Sequence, residues 1–376
     1  MPEHPVQQLQ MTNDISILQD NAINLLKELI ATPSFSKEEN NTASIIDRFF
    51  QKNGVIRYRH LNNVWGYNHY FDGKKPTILL NSHHDTVKPN PQYTKDPFQP
   101  TIENGKLFGL GSNDAGGPLV SLIATFLYFC GRNDLKFNLI LAATAEEEIS
   151  GHNGVESMLL DEQFNYPLIG EKNKIEFAIV GEPTQMQMAV AERGLMVLDC
   201  ISHGKAGHAA REEGENAVYK ALKDIEWFRS FQFPKVSKLL GPNKMSVTVI
   251  ETGNKAHNVV PAECKFVVDT RINELYSFEE VLEEIKTHVQ CDVKARSTRL
   301  RSTSIPLDHP LVKAGLALDR TYYGSPTTSD KALMPFPALK MGPGDSARSH
   351  TADEYIYMDE IKKGIELYIQ LLNQLV

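Results

Sequence analysis

The chain has 376 residues, 41% hydrophobic and 23% charged, with 39 basic against 47 acidic residues and a net charge of −8. That length suggests two domains with enough apolar material for sizeable cores, and the acidic balance argues against nucleic acid as a partner. Cys130, Cys200, Cys264 and Cys291 stand far apart with no CxxC pair, which excludes a disulfide framework and a thiolate zinc site and fits a reducing, cytoplasmic setting. The first thirty residues, with Glu3, Asp14, Asp20, Lys27 and Glu28, do not resemble a secretion signal, and the apolar stretch around Leu119 to Cys130 is too short to span a membrane.

In chain order, Thr77–Leu80 reads as a buried strand, Pro118–Cys130 as an apolar helix, and Asn138–Ala143 and Phe177–Val180 as further strands. This alternation predicts an α/β layer: a mixed, mostly parallel sheet flanked by helices. From about Ala189 the rhythm changes. Strands are expected at Met196–Ser202, Met245–Glu251, Cys264–Ile272 and Asp292–Thr298, and helices at Glu215–Phe231 and Phe278–Val289. That order is β-α-β-β-α-β, a small ferredoxin-like domain inserted at 188–302 into a domain formed by 1–187 and 303–376. Helices at Leu311–Tyr322 and Met358–Leu375 complete the first domain. The basic cluster Lys294, Arg296, Arg299 and Arg301 fits a solvated strand and its exit loop as well as an anion site.

Three clusters follow strand-like runs directly: Ser82-His83-His84-Asp85, Glu146-Glu147-Glu148 and Gly181-Glu182-Pro183. In parallel sheets the loops beyond the strand C-termini carry ligands and chemistry. Side-chain alternation puts His83 and Asp85 on one face and His84 on the other, so Asp85 can orient His83 while His84 does not ligate. Taken alone, this HxD reads more readily as a core histidine or a loop turn. Asp114, in a glycine-rich loop whose spacing fails the phosphate-binding pattern, is a ligand or the cap of the next helix. The three adjacent glutamates are a solvated turn or a ligand beside a proton carrier. His350 lies in a loop of turn formers. Two histidines and several carboxylates on successive loops suit a borderline or hard divalent cation.

The ordered set Ser82-His-His-Asp-Thr-Val87, Gly109-Leu-Gly-Ser-Asn-Asp114, Thr144-Ala-Glu-Glu-Glu148, Gly181-Glu-Pro-Thr184, Gly207-His208 and His350-Thr-Ala-Asp-Glu354 resembles the aminoacylase/carboxypeptidase G/acetylornithine deacetylase family of metallopeptidases. The resemblance implies two Zn²⁺ per subunit, replaceable by Co²⁺ or Mn²⁺. His83 and Glu182 would hold one, Glu148 and His350 the other, with Asp114 shared between them. It also implies Glu147 as general base and acid, Asp85 as the partner of His83, and a cis peptide after Asp114. Two Zn²⁺ against three carboxylates and one hydroxide give a neutral buried cluster, which avoids the cost of unbalanced charge. His208, from the inserted domain of a partner subunit in a homodimer, would hydrogen-bond the oxyanion. Two departures stand out: Ala115-Gly116-Gly117 replaces the Met-Lys-Gly common in relatives, and Glu146 stands where they often have Asp.

For the substrate, a small N-acyl amino acid, Asn258 and Arg271 resemble family positions near the carboxylate, Arg193 in Glu-Arg-Gly is another candidate, and Ser346 and Arg348, just before His350, would line the pocket. Arg271 fits an ion pair with Asp269 as well. Within this family the first expectation is an acetylornithine deacetylase of arginine biosynthesis. Acetylcitrulline and succinylornithine deacylases, succinyl-diaminopimelate desuccinylase and a dipeptidase are the alternatives. A non-catalytic binding protein on the same scaffold should lack a ligand or the base, yet every position is filled, and no G-x-S-x-G elbow supports a serine hydrolase.

Overall fold

The computed structural model of the chain describes residues 13–168, 174–211 and 213–375. Glu3, part of the reading against a secretion signal, lies outside them. The chain divides into two compact units: one runs up to Val190 and includes Ile305–Tyr323 and everything from Met334, and the other comprises Ala191–Ser304 and Gly324–Leu333. No described helix is long and apolar enough to cross a membrane.

The first unit is built on a mixed sheet in the order Ile56–His60, Asn63–Tyr67, Asn138–Thr144, Thr77–His83, Ile175–Val180, Ala338–Lys340. The last four strands pair in parallel, and the Ile56–Tyr67 hairpin adds antiparallel to Asn138–Thr144. Thr77–His83 and Asn138–Thr144 are buried along their whole length. A parallel strand covered on both faces carries a continuous apolar run rather than an alternating one. The helix Gly117–Cys130 is buried at every position except Tyr128, so apolar side chains surround its axis. It packs against Ile15–Ile30, begun by the Asp14 cap, and against Met358–Asn373. Each fully buried Leu, Ile or Phe contributes about 1.5–3 kcal/mol, which anchors the helix and the Asp114 loop leading into it.

The second unit carries four antiparallel strands in the order Lys244–Glu251, Glu263–Ile272, Gly194–His203, Asp292–Ala295. Its helices are Ala217–Ser230 and Phe278–His288, the latter started by a Ser277–Glu280 capping box. Gly194–His203 alternates between buried and half-buried positions, the period-2 pattern of a strand with one covered face. Met196, Leu198, Cys200, Phe266 and Val268 meet Ala221, Phe228, Val281 and Ile285 in its core. Two members of the basic cluster form surface ion pairs: Arg296 chelates Asp199 at 2.8–3.1 Å and Arg301 meets Glu279 at 2.9 Å.

Two expectations need correction. The helix expected over Leu311–Tyr322 covers only Pro310–Ala317. Asp319 turns left-handed at φ 57°, and the aromatic Tyr322-Tyr323 run enters a strand, Tyr322–Ser325. The return of the chain to the first unit is also interrupted, because Gly324–Leu333 belongs with the second. Ser325 O accepts the Arg193 amide at 3.3 Å, the Thr328 hydroxyl donates to Arg193 O at 2.9 Å, and Ser329 donates to the Glu192 carboxylate at 2.8 Å.

Candidate metal centre

His83 ends its strand on the C-terminal edge of the first unit's sheet. Glu147 and Glu148 follow the next strand, Asn138–Thr144, and Glu182 follows Ile175–Val180 on the other side. These neighbours therefore deliver an imidazole and three carboxylates to one rim. Asp114 comes from the loop before Gly117–Cys130, and its peptide to Ala115 is cis. That loop turns at Gly111, whose φ is +74° and where a Cβ would meet Thr86 Cγ2 at 2.6 Å.

His83 Nε2 lies 3.3 Å from Asp114 Oδ1 and 3.8 Å from both Glu147 Oε2 and Glu182 Oε1. His350 Nε2 lies 3.0 Å from Glu148 Oε2 and 3.8 Å from Asp114 Oδ2. Asp114 thus touches both halves of the cluster. Among the described residues, two donor groups satisfy the spacing for a cation, His83–Glu147–Glu182 and His83–Asp114–Glu148, each with its donor atoms within 4.8 Å of one another. Imidazole nitrogen with carboxylate oxygen and no thiolate is a fitting set for zinc, cobalt or manganese. Burial alone would lower the His83 pKa, but the charges of Glu147, Asp114, Asp85 and Glu182 carry it well above the imidazole range. The hydrogen bond to Glu148 pushes His350 up to about 9. Burial and the Asp114 charge raise Glu148. These shifts describe a cluster of negative charge that draws in protons, the place a metal cation takes.

Asp85 does more than its place beside His83 suggested. His83 Nδ1 lies 3.0 Å from the Asp85 carbonyl and 3.4 Å from its carboxylate. The same carboxylate accepts from Ser36 Oγ at 2.7 Å and from the amides of Glu147 and Glu148 at 3.1 and 3.2 Å. Burial raises its pKa, but the contacts with His83 and Ser36 outweigh this and hold it below the usual carboxylate range. One buried anion thus orients a ligand and fixes the turn carrying the glutamates. Glu146 points elsewhere, held by the Asn153 side chain and amide at 2.9 and 3.3 Å.

His84 faces away from the cluster. Its Nε2 lies 2.8 Å from Asn62 O and its Nδ1 3.0 Å from the Thr42 hydroxyl. Burial pushes its pKa down to about 4, so it is neutral in the fold, whereas an unfolded imidazole takes a proton below about pH 6.5. The stability this provides is complete above pH 6.5 and is lost on acidification towards pH 4, at up to about 1.4 kcal/mol per pH unit. Urea unfolding at pH 7 and pH 5 should therefore differ by about 2 kcal/mol through this residue, and the difference should shrink in His84→Gln. An unchanged difference would mean that His84 is not the group responsible.

The remaining expected residues are distributed as follows. Ser346 is exposed on the short turn Ser346–Arg348. Arg348 is bound by both oxygens of Glu360 at 2.7 and 3.0 Å and lies over Tyr355 and Tyr357, so its guanidinium braces the fold. In the second unit, exposed His208 pairs with Val259 in a two-stranded ribbon, and Ala209 N donates to Asn258 O at 3.0 Å, which brings His208 and Asn258 together. Arg271 forms the ion pair with Asp269, at 2.7 and 3.0 Å. Arg193 is buried and donates to Leu240 O; burial first, and then the Arg271 charge, lower its pKa. Glu354, whose neighbours in sequence give no sign of a role at the site, is buried and accepts the Asp114 amide at 2.9 Å.

A metal-dependent hydrolase is the class this sheet edge and its imidazole–carboxylate cluster define. Residues 79–374 match the model of peptidase family M20/M25/M40, and the chain belongs to that family of metallo-amidohydrolases. Among similar proteins is a succinyl-diaminopimelate desuccinylase of Wolbachia pipientis subsp. Culex pipiens, 25% identical, with 93% of this chain and 92% of that one covered. Another of the same name, from Thioalkalivibrio sulfidiphilus, is 25% identical over 95% of this chain and 99% of its own. The fold matches an M20 family metallo-carboxypeptidase of Sulfolobus solfataricus (TM-score 0.73, 18% identity, 95% and 100% covered). It also matches a dinuclear metal binding peptidase of that family from Bacillus subtilis (TM-score 0.70, 15% identity, 95% and 98% covered).

Proposed function

We propose that the chain hydrolyses the amide bond of an N-acyl amino acid whose acyl group itself carries a carboxylate, the N-succinyl class, with two zinc ions in the cluster. The observation that carries this reading is the convergence of His83, Asp114, Glu147, Glu148, Glu182 and His350 on one rim. His83 and Glu182 would hold one ion, Glu148 and His350 the other, and Asp114 both. The ions would supply polarisation of the amide carbonyl and acidification of the attacking water. Glu147 takes the proton from that water and returns it to the leaving amine, while Asp85 keeps His83 and the Glu147 turn in place.

In the second unit, Gly194 pairs with Ile272 and Leu195 with Arg271, so Arg193 and Arg271 stand at the same end of the paired strands Gly194–His203 and Glu263–Ile272. Arginine suits bidentate capture of a carboxylate, and we assign the two to a substrate carboxylate, for which Arg271 would exchange its Asp269 partner. His208 and Asn258 lie beyond the opposite end of those strands and would act together on the substrate, His208 on the oxyanion. An N-acetyl group brings one carboxylate fewer, and the relatives named above are desuccinylases, so the N-acetylornithine expectation gives way to its succinyl alternative. Dimerisation belongs to the same reading: the edge strand Lys244–Glu251 exposes Val249 and Ile250, and the neighbouring helix exposes Tyr219 and Leu222. Sedimentation should then give a two-chain mass.

The test is a panel of N-succinyl-diaminopimelate, N-succinylornithine, N-acetylornithine, N-acetylcitrulline and dipeptides, with the zinc-reconstituted chain. A charged hydrogen bond contributes about 1.5–3 kcal/mol, so succinyl substrates should exceed their acetyl counterparts in kcat/KM by roughly ten- to hundred-fold. Preference for N-acetylornithine or for dipeptides would overturn the substrate reading.

A further inference from the structure

We infer that Glu354 is a positioning residue that fixes the distance between the Asp114 and His350 loops and thereby sets the affinity of the second metal position. The inference rests on the two-cation reading above. Glu354 is 2% exposed. One of its carboxylate oxygens accepts the amide of Gly111 at 3.0 Å, and the other accepts the amides of Asn113 and Asp114, both at 2.9 Å. Its carbonyl accepts the Gly109 amide at 3.0 Å. Gly111 is left-handed, and Asp114 and Ala115 depart from helical geometry. The buried N–H groups there need a partner from elsewhere in the chain, and Glu354 supplies it from 240 residues away in sequence.

The opposite end of this connection is His350, four residues before Glu354. The intervening turn is fastened on its outer side by Asp353, whose carboxylate accepts the amides of Thr94 and Lys95, both at 2.9 Å. Glu354 therefore joins two elements, each bearing one proposed ligand, and those ligands stand 3.8 Å apart, His350 Nε2 to Asp114 Oδ2. Its own two oxygens are occupied by backbone N–H groups, so it positions ligands and is not itself one. A residue serving only as loop support would affect unfolding but not the relative affinities of the two metal positions.

Glu354→Gln separates these roles. One oxygen becomes an NH₂ group that confronts a backbone N–H donor, so the loop must shift. Stepwise Co²⁺ titration of the metal-free protein, followed calorimetrically and by absorption, should show the second equivalent weakened by about ten- to hundred-fold more than the first. At subsaturating metal, kcat should fall in step with the second occupancy, with KM moving less than about two-fold. Glu354→Asp, which keeps the carboxyl group, should recover part of the second affinity and serves if the glutamine variant does not fold. Two equivalents bound with wild-type affinities by both variants would overturn the inference and leave the two-cation reading intact. A wild-type chain that binds no second equivalent would overturn that reading first.

Discussion

Glu147→Gln should lower kcat by roughly 10²- to 10⁴-fold, the range a positioned general base contributes, while leaving metal content unchanged. The backbone amide of Glu147 is held by Asp85, so the turn keeps its shape when the side chain loses its charge. The glutamine keeps the size of the side chain and can still hydrogen-bond, but it cannot take a proton from water. Metal analysis beside steady-state kinetics checks this. In this chain the base and the ligands are adjacent: Glu147 Oε2 and Glu182 Oε1 stand at the same 3.8 Å from His83 Nε2. If Glu147→Gln loses a metal ion, Glu147 is a ligand; if it turns over normally, it is not the base.

Asp114→Asn should have an effect of the same order by a different route. Asp114 is the one carboxylate in contact with both His83 and His350 among the described residues, at 3.3 and 3.8 Å. Burial raises its pKa, but His83, Ser349 and His350 more than offset that and keep it ionised. Removing one member of a buried charge cluster costs about 3–5 kcal/mol, so affinity for both metal ions should fall by at least about 10²-fold. Activity should return partly with excess metal, which Glu147→Gln would not show. Full occupancy and ordinary turnover in Asp114→Asn would remove Asp114 from the shared position.

Much of this centre was legible because parallel strands advertise their C-terminal ends. Thr77–His83, Asn138–Thr144 and Ile175–Val180 are rich in apolar residues, and His83, Glu147, Glu148 and Glu182 stand at or just beyond their C-terminal ends. The direction of His84 also followed from alternation alone. Other features are not written locally. The three-residue strand Ala338–Lys340 is too short to show a period. The edge hairpin Ile56–Tyr67 carries arginines and a histidine on its outer strand, which hides its pattern. Arg348 had the right neighbours for a pocket residue, but Glu360, one helical turn into the last helix, takes its guanidinium. Glu354 meets its partners only through the fold, since a carboxylate's role as an acceptor for a distant loop leaves no mark on nearby residues.

The most direct measurement is an anomalous difference map from crystals of the zinc-reconstituted chain, collected on either side of the zinc edge. Two peaks are expected, one within about 2.0–2.2 Å of His83 and Glu182 and the other at that distance from Glu148 and His350, with Asp114 bound to both. A map with no peak among these residues, or with one ion bound elsewhere, would contradict the account.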